Sequence, residues 1–365
     1  MGVARLAIVG TGLIGASVGL AAKRAGIEQV TAWDPVPEAL RMAVERGAAD
    51  RASGSLEESV ADAELTVVAA PVATLRDQVE QTLEASAPAS TVTDVGSTKA
   101  GLCASIGDRV RFIGGHPMCG SEARGPEHAS ADLFTGATWF LTPVAETDPA
   151  RYRVLHAFVV ALGAAPLAVD PEAHDRLLAL TSHLPHILAN LLMNQAGATR
   201  VSGYEALSAA GGSLADMTRV AGSNPRIWVD IFLDNAEELR AALAELRARS
   251  EQVERALAER DAGFLARWIG EAAGNRRRLL ADAYPDAGAM QRLTVHVPDR
   301  LGVFAGITQA LAAARINIED FEVHHMSPER GGTLDVLVTG EDAARRAAEL
   351  LEEQGYSVII AAAFE

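Results

Sequence analysis

The sequence predicts an α/β chain. A doubly wound, largely parallel sheet comes first, then an all-helical domain and a small ferredoxin-like βαββαβ domain. Three observations predict it. From residue 1 to about 170, apolar strand-like runs alternate with helical runs. Residues 172–283 are rich in Ala and Leu and hold no convincing alternating run. From residue 292 the pattern becomes strand, helix, strand, strand, helix, strand. Domains are expected at 1–170, 171–287 and 290–365, with Tyr284-Pro-Asp-Ala-Gly-Ala289 as linker.

In the first domain, strands are expected at 4–9, 29–33, 65–70, 91–95, 110–113, 137–141 and 165–169. The first runs into Gly10-Thr11-Gly12-Leu13-Ile14-Gly15, a G-x-G-x-x-G that opens a helix of small residues. That order is a Rossmann-type fingerprint. Gly10 permits a tight turn, Gly12 lets backbone approach a pyrophosphate, and Gly15 lets helix and strand pack closely. The helix start offers N–H groups to the phosphates. Asp34 ends the second strand, about 20 residues downstream, where a carboxylate binds ribose hydroxyls and repels a 2′-phosphate. NAD is therefore expected rather than NADP. Ala70 and Pro71 end the third strand and leave the cofactor crevice open.

Thr93-Asp-Val-Gly-Ser-Thr-Lys99 ends the next strand. Ser97 enters the same crevice as a donor to a substrate oxygen or an orienter of a base, or else caps the following helix, a role Thr98 shares. Lys99 in the first turn opposes the helix dipole, so it is either solvated or paired with a ligand anion. The run Gly114-Gly-His-Pro-Met-Cys-Gly-Ser-Glu122 follows another strand. Its Gly pair frees the backbone, and Pro117 holds His116 out of helical geometry. Three strand ends, at 71, 97 and 116, converge there, and a fixed neutral imidazole suits proton acceptance.

In the helical region, Thr181-Ser-His-Leu-Pro-His186 places two imidazoles at a helix start, with Pro185 in the first turn. Zinc is not expected, because no Cys or acidic cluster accompanies them. Instead His186 is expected to face a substrate and His183 to support it. Arg219, in Asp216-Met-Thr-Arg219, either grips a carboxylate with its fork or pairs with Asp216 on a helix surface. One long helix is expected over 227–259, with Leu239, Leu243, Leu246, Val253 and Leu257 forming a narrow apolar seam. That seam packs within the domain or joins two copies.

Composition narrows the partners. A net charge of −16 argues against nucleic acid and anionic membranes, and leaves an anionic substrate to a few local cations. Two cysteines, Cys103 and Cys119, make no disulfide framework. No targeting or spanning segment stands out, so a cytoplasmic location is expected.

GTGLIG, DVGSTK, GGHPMCGSE, SHLPH and DMTR occur in one order along the whole chain, which resembles prephenate dehydrogenase of the tyrosine pathway with a C-terminal ACT domain. The resemblance implies NAD-dependent oxidative decarboxylation of prephenate to 4-hydroxyphenylpyruvate, and a homodimer built through the helical domain. It implies His116 as catalytic base on the substrate's ring hydroxyl, and Ser97 bonded to that hydroxyl and to His116. It also implies His186 against the substrate side chain and Arg219 on a carboxylate. In the tail, the resemblance implies tyrosine as effector at Asp299, Arg300, Leu301, Gly302, Asn317 and Ile318. Leu301 departs from the Pro that many relatives carry, and a tail that only assists dimerisation stays open.

Arogenate dehydrogenase shares fold and chemistry and stays open as an alternative. A β-hydroxyacid dehydrogenase relies on a helical Lys, and residues 172–275 contain none. A non-catalytic NAD- and amino-acid-responsive regulator would leave His116, His186 and Arg219 idle.

Overall fold

The structure is a computed structural model that describes residues 2–119, 123–283, 289–327 and 331–363. Gly120-Ser-Glu122 of the His116 motif and Tyr284–Gly288 of the expected linker lie outside the described residues. The chain forms two compact units, Met1–Arg247 and Ala248–Glu365.

The first unit carries the strands β1 (Arg5–Val9), β2 (Gln29–Trp33), β3 (Arg51–Ala52), β4 (Leu65–Val68), β5 (Thr91–Asp94), β6 (Phe112–Pro117), β7 (Thr138–Thr142) and β8 (Ala165–Ala168). They form one sheet in the order β3-β2-β1-β4-β5-β6-β7-β8. The helices α1 (Leu13–Arg24), α2 (Pro37–Glu45), α3 (Leu56–Val60), α4 (Val72–Ala85), α5 (Ala100–Ser105) and α6 (Pro149–Ala161) connect them. Successive residues of β1 feed opposite faces, as the strand period requires. Leu6 and Ile8 join Val18, Ala21 and Ala22 of α1, whereas Ala7 and Val9 join Val60, Leu75, Val79 and Leu83. Both faces are thus covered, as expected for a doubly wound sheet.

The strand order reverses between β1 and β4, and the crevice there is where such sheets bind ligands. β7 and β8 run against the rest, because β7 pairs antiparallel with β6 and parallel with β8. Between β6 and β7 the described residues hold only a 3₁₀ turn, Pro126–His128, and no crossover helix. Without a crossover, a strand returns antiparallel.

The helical part continues through α7 (Pro171–Leu178), a π-helical turn (Ala179–His183) and α8 (Leu184–Ala198). Pro185 lacks an N–H and its ring crowds the carbonyl of residue 181, so a widened turn just before it relieves both problems. A hairpin, β9 (Arg200–Val201) with β10 (Tyr204–Glu205), interrupts the helices, which resume as α9 (Gly212–Thr218) and α10 (Pro225–Asp234). The long helix expected over 227–259 is two helices, α10 and α11 (Ala236–Glu259), broken at Asn235. Asn235 leaves helical geometry, and its buried amide donates to Asp175 O (2.8 Å) and to His183 Nδ1 (3.1 Å). Tertiary bonds thus override a continuous helical pattern.

The second unit includes α12 (Ala262–Ala283) and the strands β11 (Met290–Val297), β12 (Asp320–Ser327), β13 (Gly331–Thr339) and β14 (Ser357–Ala362). The strands pair antiparallel in the order β12-β13-β11-β14. Helices α13 (Val303–Ala313) and α14 (Glu341–Glu353) cover one face through Ile307, Leu311, Ala344 and Leu351. This is the expected ferredoxin-like order. The second strand starts at Asp320, so Asn317 and Ile318 precede it.

Candidate active site

Gly10 sits at the switch between β1 and β4 with φ +95°, and a Cβ there would lie 2.5 Å from Ala69 O. A Cβ on Gly15 would lie 1.9 Å from Gly10 O. Gly12 starts α1, and no side chain caps that terminus. Turn, close packing and open N–H groups therefore fit a dinucleotide pyrophosphate, with Leu13 and Ile14 in the first turn. Asp34 follows β2, and one carboxylate oxygen accepts from Thr11 N (2.6 Å) and Thr11 Oγ1 (3.0 Å). Its other oxygen accepts from Val36 N (2.8 Å). Ala70 and Pro71 follow β4, where Pro71 precedes α4.

Beside this crevice opens a cavity of about 840 Å³ whose lining includes Ser97, His116, Arg124, His186, Arg219 and Trp228. The four residues expected at the reaction are thus brought together. His116 lies within β6 opposite Phe140, with Nδ1 2.9 Å from His174 Nε2. His174 Nδ1 lies 2.7 Å from Asp175 Oδ1. A carboxylate only accepts, so His174 carries a proton on Nδ1; with its ring neutral, its Nε2 accepts from His116 Nδ1–H. His116 Nε2 is then the basic nitrogen. Burial, with His174, Lys99 and His183 nearby, pushes His116 well below the usual histidine range. It is therefore a neutral base of fixed tautomer.

Sequence reasoning missed His174 and Asp175, though a signal was present. Pro171, His174, Asp175 and Leu178 are the buried stripe of α7. Two ionisable residues on the apolar stripe of an amphipathic helix need a reason.

The expected cap on α5 also differs. Neither Ser97 nor Thr98 caps it; Lys99 holds the N-cap position. The N–H groups of Lys99 and Ala100 donate to the two oxygens of Asp175, at 2.8 Å each. Lys99 is neither solvated nor on a ligand anion: its side chain is buried and pairs with Asp94. Gly114 and Gly115, the pair expected to free the backbone, lie inside the sheet opposite Thr142 and Leu141.

His183 is buried, and burial lowers it to about 4. His186 opens α8, with Nδ1 3.2 Å from Ser182 O and Nε2 3.3 Å from Ser223 Oγ. Its ring stacks on Trp228 at 3.4 Å between centroids. Burial lowers its pKa, and Arg219 adds to that. Arg219 begins a 3₁₀ turn after α9 and is exposed at the cavity. Trp228, Ser223 and Arg124 were also missed, since nothing local marks them. Burial pushes the Cys119 thiol up to about 12, so it is no nucleophile at neutral pH.

In the second unit, Gly302 has φ +84° at the start of α13, and Asp299, Arg300 and Leu301 are exposed beside it. Asn317 Nδ2 donates to Glu319 Oε1 (2.9 Å), and Ile318 is half-buried.

A Rossmann-type crevice joined to a buried neutral base defines an NAD-dependent oxidoreductase. Residues 18–166 match the prephenate dehydrogenase nucleotide-binding domain, 170–271 the prephenate dehydrogenase dimerization domain, and 291–356 the ACT domain. The chain is 30% identical to a prephenate dehydrogenase of Bacillus subtilis over 94% of its own length and 95% of the relative's. Among solved structures it resembles a prephenate dehydrogenase from A. aeolicus in complex with hydroxyphenyl propionate and NAD+. That match has TM-score 0.71 and 28% identity, covering 76% of this chain and 99% of the other. A Synechocystis arogenate dehydrogenase matches with TM-score 0.69 and 27% identity, covering 75% and 99%. The chain belongs to the prephenate dehydrogenase family. No helix among the described residues is long and apolar enough to cross a membrane.

Proposed function

We propose that this chain oxidises prephenate to 4-hydroxyphenylpyruvate with loss of carbon dioxide. The observation that carries the reading is the His116–His174–Asp175 chain, which leaves a neutral, tautomer-fixed base at a cavity beside the cofactor crevice. NAD, held at Gly10–Gly15 with Asp34, Ala70 and Pro71 around it, supplies the hydride acceptor. His116 Nε2 takes the proton of the ring hydroxyl as that oxygen becomes a carbonyl. Ser97 donates to the same oxygen. Arg219 grips a substrate carboxylate, and His186, braced on Trp228, faces the side chain. Aromatisation of the ring drives the carbon–carbon cleavage: the bonding pair released with carbon dioxide passes through the ring to the carbonyl oxygen, which takes its proton back from His116, so no residue has to activate the departing carboxylate.

Arogenate is the second reading, favoured by the likeness to the Synechocystis enzyme. The two substrates differ only on the side chain, where His186 is the proposed contact. The exposed Leu257, Trp268 and Ile269 of α11 and α12 support a homodimer through the helical domain. The ACT segment, with its loop at Asp299–Gly302 and Asn317–Ile318, is proposed to bind tyrosine as feedback effector. The three-part division at about 170 and 287–290 and a cytoplasmic location belong to the same reading.

The test is NADH formation with prephenate and arogenate in parallel, with and without tyrosine. Turnover of prephenate, lowered by tyrosine, is expected. Turnover of arogenate alone would overturn the substrate, and turnover indifferent to tyrosine would overturn the effector.

A further inference from the structure

Asp94 and Lys99 are both fully buried and form an ion pair just behind the site. As a stabiliser this is a poor choice, because a buried pair is often no better than apolar residues of the same volume. Its connections suggest another use. Asp94 Oδ2 meets Lys99 Nζ and also accepts from Gly96 N at 2.8 Å. Asp94 Oδ1 accepts from Gly115 N at 3.1 Å. Gly96 precedes Ser97, and Gly115 precedes His116. The backbone register between β5 and β6 runs through Val92–Phe112 and Thr93–Ile113. Beyond it, the side chain of Asp94 links the two strands.

Three glycines lie close against the pair and its neighbours. A Cβ on Gly96 would lie 2.4 Å from Leu75 Cδ2 and 3.0 Å from Asp94 Oδ2, one on Gly114 would lie 2.3 Å from Thr142 Oγ1 and 3.1 Å from Lys99 Cδ, and one on Gly115 would lie 2.6 Å from the backbone oxygen of Asp94. None of these positions accepts a side chain without displacing its neighbours.

We propose that the Asp94–Lys99 pair is a positioning device for the reaction, tying the backbone that carries Ser97 to the backbone that carries His116. It rests on His116 being the base. The charged or titratable groups packed around His116 are Asp94 on β5, Lys99 at the start of α5, and His174 and Asp175 on α7. His183 on the π turn, His186 on α8, Arg219 after α9, and Cys119 and Arg124 after β6 complete them among the described residues. The Lys99 ammonium lies near His116 and opposes its protonation.

The test uses the full chain, NAD, and whichever of prephenate and arogenate the parent turns over. Lys99→Met should move the acid limb of kcat/KM upward by about one pH unit, a change that a purely structural role would not produce. Asp94→Asn combined with Lys99→Met removes both charges. One amide oxygen then serves only one of the two backbone N–H groups. This double variant should lose kcat about tenfold or more, with KM for substrate and NAD within about threefold. A folded double variant with parental kcat would overturn the proposal. If it does not fold, Lys99→Arg serves instead: its charge is kept, so the acid limb should stay while kcat falls, and parental kcat again overturns the proposal. His116→Asn in the same assay separates the two readings, since parental turnover there defeats the base itself rather than the clamp.

Discussion

Replacing His174 with Phe keeps a ring edge-on to Phe140 but deletes both hydrogen bonds of the imidazole. His116 then loses the acceptor that holds its proton on Nδ1. Nothing prevents the proton from moving to Nε2, where it blocks acceptance from the substrate. General-base catalysis contributes roughly 10²–10⁴. Partial loss of the correct tautomer should remove a share of that, about 10–100-fold in kcat, or roughly 1.4–2.8 kcal/mol at 1.4 kcal/mol per decade. Binding should change little, because His174 is buried behind the base rather than in the cavity lining. Stability should also fall, by about 2–4 kcal/mol, for a lost neutral bond and a lost bond to the Asp175 carboxylate. Initial rates of NADH formation over a range of substrate concentrations separate kcat from KM, and urea unfolding gives the stability. A folded His174→Phe protein with kcat within twofold of the parent would refute the tautomer reasoning.

Three further outcomes are expected. Arg219→Ala should raise KM for substrate by about 10–150-fold, equivalent to roughly 1.5–3 kcal/mol for lost hydrogen bonds to a charged group, with KM for NAD unchanged; the reverse pattern would move Arg219 to the cofactor. Asp34→Ser should weaken NAD and relax discrimination against NADP, measured as the ratio of kcat/KM for the two cofactors; an unchanged ratio would remove Asp34 from the ribose site. Stability should fall on acidification below about pH 6.5. His183 and His116 have lowered folded pKa values, so the unfolded chain binds protons there that the folded chain refuses. Each contributes a slope of up to roughly 1.4 kcal/mol per pH unit, for His183 down to about pH 4. Urea midpoints flat from pH 7 to about 4.5 would contradict it.

Period and turn chemistry were sufficient to read the doubly wound sheet, the glycine fingerprint and the ferredoxin-like tail, because each is encoded within a few neighbouring residues. Features set by distant partners were not. The cap on α5 comes from Asp175, 76 residues beyond Lys99, so Ser97 and Thr98 suggested a cap that is not there. Lys99 reads as solvated until Asp94 is placed beside it. Asn235 looks like one polar residue in a long helix, and only its bonds to Asp175 and His183 explain the break. At the site, His116 was marked by its strand end and following Pro. His174 was marked only by its place on the apolar stripe of α7, and its role rests on contact across 58 residues of chain. The reversed direction of β7 and β8 likewise goes with the lack of a crossover helix among the described residues after β6, which strand patterns alone do not report.

The most direct measurement is turnover of His116→Asn with NAD and prephenate, beside NAD binding followed by fluorescence. If His116 is the base, kcat should fall by about two or more orders of magnitude with KM and NAD affinity nearly unchanged. Near-parental turnover with intact NAD binding would contradict it and return the proton to another group.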